Sequence, residues 1–151
     1  MGLQGIAPQK DVWRIPAVYW PGESGNLHLH WVFSCWALPP FTVGHFNYMF
    51  VRREPDGQCT PLYIGETANF ADCMRRHESW QDAISLGMNE VHVDLSADSI
   101  WVRQAIETDL LIGQRPELHS RRARLMDENV CDGTGRRSVS ARSHGGHRSI
   151  K

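Results

Sequence analysis

The sequence predicts an α+β fold on a small three-stranded antiparallel sheet, with elements in the order β-β-α-β-α. Three observations carry this expectation. Residues 48–52 and 61–65 flank Glu54-Pro55-Asp56-Gly57-Gln58, whose Pro, Asp and Gly supply the turn chemistry of a β-hairpin. Phe70, Met74, His77, Gln81 and Ile84 then recur at three- and four-residue steps, the period of one helix face. Finally, Glu90-Val91-His92-Val93-Asp94-Leu95 alternates strictly, as a third strand does.

Taken in order, residues 1–40 form a Pro-, Gly- and Trp-rich N-terminal extension that includes Trp13, Trp20, Trp31 and Trp36. Within it, Leu27-His28-Leu29-His30-Trp31-Val32-Phe33 alternates at first and fits a strand, and Leu38-Pro39-Pro40 breaks whatever precedes it. Residues 41–119 form the domain. Its hairpin is followed by Gly65 and Thr67, a tight exit into a helix over about 68–86. Gly87 is a natural stop for that helix, because glycine takes the left-handed position after the last turn without strain. Ser96 and Asp98 offer caps to a second helix over about 99–112, ended by Gly113 with Pro116 beyond. From Ser120 onward Arg, Ser, Gly and His dominate and no hydrophobic period survives, so residues 120–151 read as a flexible, disordered tail.

At 151 residues, 41% hydrophobic and with six Trp, the chain can bury one real core, which excludes a mostly disordered protein. The formal charge of −1 hides an asymmetry. Eight basic residues after position 119 face three acids, giving the tail +5 and leaving −6 for the rest. A basic tail on an acidic body suits a polyanionic partner. Cys35, Cys59, Cys73 and Cys131 are scattered without a CxxC pair, which argues against both a zinc site and a disulfide framework. No apolar run approaches twenty residues, and no signal peptide is expected. No membrane partner and a reducing cytoplasmic setting are therefore expected.

The hairpin and the helical segments after it carry a resemblance. Tyr63-Ile64-Gly65 is a literal YIG element, Phe46-Asn47-Tyr48 keeps the tyrosine of a GIY element, and Glu107 with Leu110, Leu111, Pro116 and His119 comes next in order. Across residues 46–119 the chain resembles the GIY-YIG nuclease superfamily. The resemblance implies a metal-dependent endonuclease that hydrolyses phosphodiester bonds in DNA, with RNA a lesser possibility. Tyr48 and Tyr63 would orient or activate the water, His77 would assist proton transfer, and Glu107 would hold Mg²⁺ or Mn²⁺. His119 stands where an Asn is usual. The hard oxygen donors that Mg²⁺ prefers suit a carboxylate such as Glu107.

One position departs from the family. Its catalytic arginine falls on Cys73, with Arg75 and Arg76 displaced by two and three residues. At about 100° per residue, Arg76 lies about 60° from Cys73 around a helix and Arg75 about 160°. Arg76 is therefore the expected substitute, and Arg75, Arg121, Arg122 and Arg124 are expected to contact nucleic acid outside the catalytic centre. Losing one preorganised charge-stabilising group costs about 10²–10³ in rate. The alternative function is thus an inactive GIY-YIG-like module that binds nucleic acid. A Cys73 thiolate with His77 at i+4 is a weaker option. His28 and His30 alternate on a strand and could ligate metal, but no further ligand is apparent, so a structural role is expected. His144-Gly145-Gly146-His147 could take up metal adventitiously.

Overall fold

The computed structural model describes residues 15–38 and 44–121. Its elements are β1 (Ala17–Pro21), β2 (Leu27–Ser34), β3 (Phe46–Arg53), β4 (Cys59–Thr67), α1 (Phe70–Arg75), α2 (Trp80–Ser85), β5 (Glu90–Asp94) and α3 (Ile100–Gln114). The fold is mixed α+β, and the expected hairpin, third strand and last helix are all present. The sheet, however, has five strands and not three. They run in the order β1-β2-β5-β3-β4, every neighbouring pair antiparallel. The segment read as an extension before residue 40 thus supplies two strands, and β2 pairs with β5 from Trp31↔Val93 to Ser34↔Glu90. The physical reason is edge coverage. Without β2, the strand β5 would present an unpaired row of backbone N–H and C=O groups.

The β3–β4 turn forms as its residues dictate. Gly57 takes a positive φ of 90°, and the Gln58 N–H donates to Asp56 Oδ1 at 2.9 Å. A bulge then shifts the register: Phe50 pairs with Tyr63 but Val51 with Pro61, leaving Leu62 as the extra residue. Pro61 lacks an N–H, and an edge strand at a bulge is where it costs no ladder bond. As a result Leu62 and Tyr63 both serve the same core cluster.

Each face of the sheet has its own cover. Phe46, Tyr48, Phe50, Val91 and Val93 pack with Phe70, Met74 and Ala83 of α1 and α2. Met49, Val51 and Ile64 pack with Trp20 and with Leu110 of α3. The alternation of β5 is real, but its polar half does not face solvent: His92 and Asp94 are buried beneath α3.

The single helix expected over 68–86 is two short ones. Arg76 N–H donates to the Cys73 carbonyl at 3.3 Å, Trp80 N–H to the His77 carbonyl at 3.1 Å, and the His77 ring takes the Ser79 N–H at 3.1 Å. A side chain that captures a backbone donor in this way competes with the helical ladder. Ser99, rather than Ser96 or Asp98, caps α3: its hydroxyl accepts the Val102 N–H at 3.2 Å. The helix also runs through Gly113 to Gln114 and closes on Arg115 at φ 49°. Gly113 lets α3 pack closely on the β1–β2 turn, since a Cβ there would meet the Glu23 nitrogen at 2.7 Å. The tail expected from Ser120 begins within a helical turn at 117–121. Arg122, Arg124 and the rest of the proposed tail lie outside the described residues. Among the described residues, no helix is long and apolar enough to cross a membrane.

Candidate functional site

Sequence-distant groups converge on the Tyr48 hydroxyl. Tyr48 is almost fully buried on β3, directly opposite Gly65 of β4. Its Oη lies 2.7 Å from His77 Nε2 and 3.4 Å from Cys73 Sγ. The His77 tautomer follows from its other nitrogen. Nδ1 accepts the Ser79 N–H, so in the neutral ring Nε2 carries the hydrogen and donates to Tyr48 Oη. Around this point stands an aromatic box. The Tyr48 and Tyr63 rings stack at 6.0 Å and 22°, His77 meets Tyr63 edge-on at 4.6 Å, and His119 lies 4.6 Å from Tyr63 on a tilt of 31°. His119 Nε2 is 2.8 Å from the Ile64 carbonyl oxygen and 3.4 Å from the Ile64 nitrogen; the shorter contact is the hydrogen bond and sets the hydrogen on Nε2.

A cleft of about 230 Å³ opens beside the box, lined by Tyr63, Cys73, Arg76, His77, Glu78 and Ser79. The break between α1 and α2 is what presents Arg76 and His77 to it. Arg76 is exposed on its wall, whereas Arg75 turns away to pair with Asp72 at 2.5 Å. The Ser79 hydroxyl is buried and has no hydrogen-bond partner.

The electrostatics of Tyr48 differ from those of an activated phenol. Burial, then the hydrogen bond with Cys73 and the neighbouring Tyr63, hold its pKa well above the ordinary tyrosine value. A guanidinium at position 73 would favour the phenolate, and a thiol does not. Tyr48 is therefore a protonated phenol that can donate or accept a hydrogen bond but cannot serve as a base at neutral pH. His77 is committed to Tyr48 through Nε2 and to Ser79 through Nδ1, which leaves neither nitrogen to activate the Cys73 thiol.

Glu107 does not line the cleft. Asn47 and Glu66 are paired across β3 and β4 on the face opposite Tyr48, and both bond to Arg103 of α3. Glu107, one turn after Arg103, feels the charge of Glu66. Burial first, and then that charge, push its carboxyl pKa upward. The cleft-lining residues include one carboxylate, Glu78, and Glu107 lies on the other side of the sheet. This set does not fit the Mg²⁺ or Mn²⁺ that the resemblance implies. Arg121 is exposed and paired with Glu117.

No family model, curated protein or solved structure matches this chain. The nuclease resemblance accordingly rests on the motif residues between Phe46 and His119 alone.

Two further clusters escaped the sequence. Asp109 of α3 accepts from Ser24 N–H at 2.7 Å and Ser24 Oγ at 2.8 Å, and lies 2.8 Å from His28 Nε2. The residue types are those of a hydrolase triad, but the carboxylate is central and Ser24 does not bond His28. The trio therefore tethers the β1–β2 turn to α3 and activates no nucleophile. No local signal links residues 81 and 85 positions apart. Cys59, Glu90 and His92 bring three possible metal donors within 4.8 Å of one another, the only such His/Cys/Asp/Glu group among the described residues. Its tautomer closes it. Trp20 Nε1–H donates to His92 Nδ1 at 3.0 Å, so His92 Nε2 keeps its hydrogen and donates to Glu90 Oε2 at 2.8 Å. Glu90 Oε1 in turn accepts from Arg53 Nε at 2.7 Å.

Proposed function

We propose that this chain is a nucleic-acid-binding module, for DNA ahead of RNA, that takes a phosphodiester backbone against Arg76 in the cleft beside Tyr63 and His77. The observation that carries the reading is the cleft itself. It combines one exposed guanidinium, a buried hydroxyl without a partner and an aromatic wall of Tyr63 and His77. A cation beside stacked rings is the general combination for a single strand or a strand end, the charge meeting phosphate and the rings meeting a base. The basic residues after position 119 add counterion-releasing charge. Hydrolysis is not part of the leading reading, because Tyr48 is held protonated and Glu107 belongs with Glu66 beneath α3.

The test is fluorescence anisotropy of labelled single-stranded and duplex DNA with the full chain in EDTA. Arg76→Ala is expected to weaken binding and to reduce the salt slope by about 0.7–0.9, the share of one phosphate contact. Equal affinity and slope in parent and variant would remove the cleft from the interface.

A metal-dependent endonuclease is the second reading, favoured by the 2.7 Å contact between Tyr48 and His77. It requires Mg²⁺- or Mn²⁺-dependent cleavage that Glu107→Ala abolishes while DNA binding persists.

A further inference from the structure

On the α3 side of the sheet, away from the cleft, a row of polar residues crosses the strands in register. Asn47 of β3 is directly opposite Asp94 of β5. The β2–β5 pairing runs up to Trp31↔Val93, and one step further sets His30 opposite Asp94 from the other side. Adjacent strands are about 4.8 Å apart, so these three side chains rise from neighbouring positions on one buried face. His30 and Asn47 are fully buried and Asp94 is 2% exposed.

Two of the three carry lone pairs with nothing to receive. His30 Nδ1 lies 3.1 Å from the His28 carbonyl oxygen, which can only accept. Nδ1 therefore bears the hydrogen and Nε2 is a bare lone pair, and His30 Nε2 has no partner. Asn47 Nδ2 donates to the Arg103 carbonyl at 2.8 Å, which fixes the amide orientation, and Asn47 Oδ1 likewise has no partner. Between them stands Asp94, whose Oδ1 accepts the Ser96 N–H at 2.7 Å and whose charge reaches the His30 ring. Buried acceptors left unmade are costly and rare.

We propose that His30 Nε2, Asp94 and Asn47 Oδ1 form a buried site for a divalent first-row transition metal, of the zinc or iron(II) class. Imidazole with oxygen donors suits these ions, and three protein ligands leave a position for water. A ligating histidine holds its second ring N–H on a carbonyl or carboxylate, as His30 does on His28. His92 shows the contrast: the indole of Trp20 occupies its Nδ1 lone pair and leaves the ligating nitrogen protonated. Arg103, whose carbonyl holds Asn47 Nδ2, pairs its Nε with Glu66 at 2.9 Å, while its Nη1 is also buried without a partner.

The test uses Co²⁺, whose visible d–d absorption reports an N/O site, titrated into the chelator-treated full chain. One ion per chain is expected, displaced by Zn²⁺. Asp94→Asn should weaken binding by at least the roughly 10–100-fold that even an outer-shell loss costs. His30→Ala, which removes the only nitrogen donor, should abolish it. Cys59→Ser and His144→Ala/His147→Ala should leave the signal unchanged. Absence of binding by the folded parent would overturn the proposal. So would a signal that is lost with Cys59 or the His144/His147 pair, or one that His30→Ala leaves intact.

Discussion

Replacing Gly65 by Ala probes the packing on which the cleft depends. Gly65 is paired with Tyr48, and a Cβ built at 65 would stand 2.8 Å from Tyr48 Oη, 2.9 Å from Tyr48 Cζ and 2.9 Å from Tyr63 Cε1. Ordinary carbon contacts lie at about 3.5–4.0 Å, so both rings must retreat by more than half an ångström. Tyr48 has nowhere to go. It is 2% exposed, and its hydroxyl is held at 2.7 Å from His77 Nε2. Overpacking of this kind costs about 1–3 kcal/mol, and a strained Tyr48–His77 bond adds about 0.5–1.5 kcal/mol. A total near 3 kcal/mol corresponds to a fall in melting temperature of roughly 10–20 °C for a domain of this size. Thermal unfolding followed by near-UV circular dichroism reads both the midpoint and the tyrosine environment. The Tyr48→Phe background removes the closest contact, so Gly65→Ala should cost about 0.5–1.5 kcal/mol less there. A Gly65→Ala midpoint within about 1 °C of the parent, or identical costs in both backgrounds, would refute the reasoning.

Two other predictions concern charge. Burial lowers the His30 pKa from 6.5 to about 4, and burial also lowers that of His92 despite the opposing Glu90. The unfolded chain then takes up protons first as pH falls. Stability is complete above about pH 6.5 and is lost between there and pH 4; His30 alone accounts for about 3 kcal/mol, some 2 of it gone by pH 5. Urea midpoints across this range in EDTA check the slope, and a flat profile would contradict it. Glu107 works in the other direction, because burial and Glu66 disfavour its ionised form. Glu107→Gln should therefore match or exceed the parent in stability at pH 7, with the gain shrinking near pH 4. Chemical denaturation at the two pH values measures it.

Local signals in the sequence were sufficient where the physics is local. The Asp56-Gly57 turn, the Gly87 stop and the last helix all formed, because turn dihedrals and helix termini depend on neighbours in the chain. Arg75 and Arg76 do part as expected, but the cause is the end of α1: Arg76 caps it at φ −120° and leaves the helical path. What was hidden depends on residues far along the chain. Nothing local in Val18-Tyr19-Trp20 or Leu27-His28-Leu29 says that β2 inserts beside β5, about 60 residues on. The period of Phe70, Met74, His77 and Ile84 survives the break between α1 and α2 because both helices lie on one face of the sheet. Strict alternation in an antiparallel sheet commonly marks one solvated face, yet Asp94 and His92 of β5 are buried. Glu107 lies on α3, whose Ile106 and Leu110 pack against the sheet. Which side of the sheet that face covers is a tertiary fact, and it separates Glu107 from the tyrosines.

The central claim is that this cleft binds a phosphodiester backbone and lacks the means to cut it. Cys73→Arg tests that claim most directly, because it puts the guanidinium beside Tyr48 where the nuclease resemblance expects one. DNA affinity and Mg²⁺-dependent cleavage would be measured on the same preparation. Tighter DNA binding with a steeper salt slope, and no cleavage, is the predicted result. Strong metal-dependent cleavage gained by this one substitution, and lost again in Cys73→Arg/Glu107→Ala, would contradict the account and identify the chain as a nuclease lacking a single part.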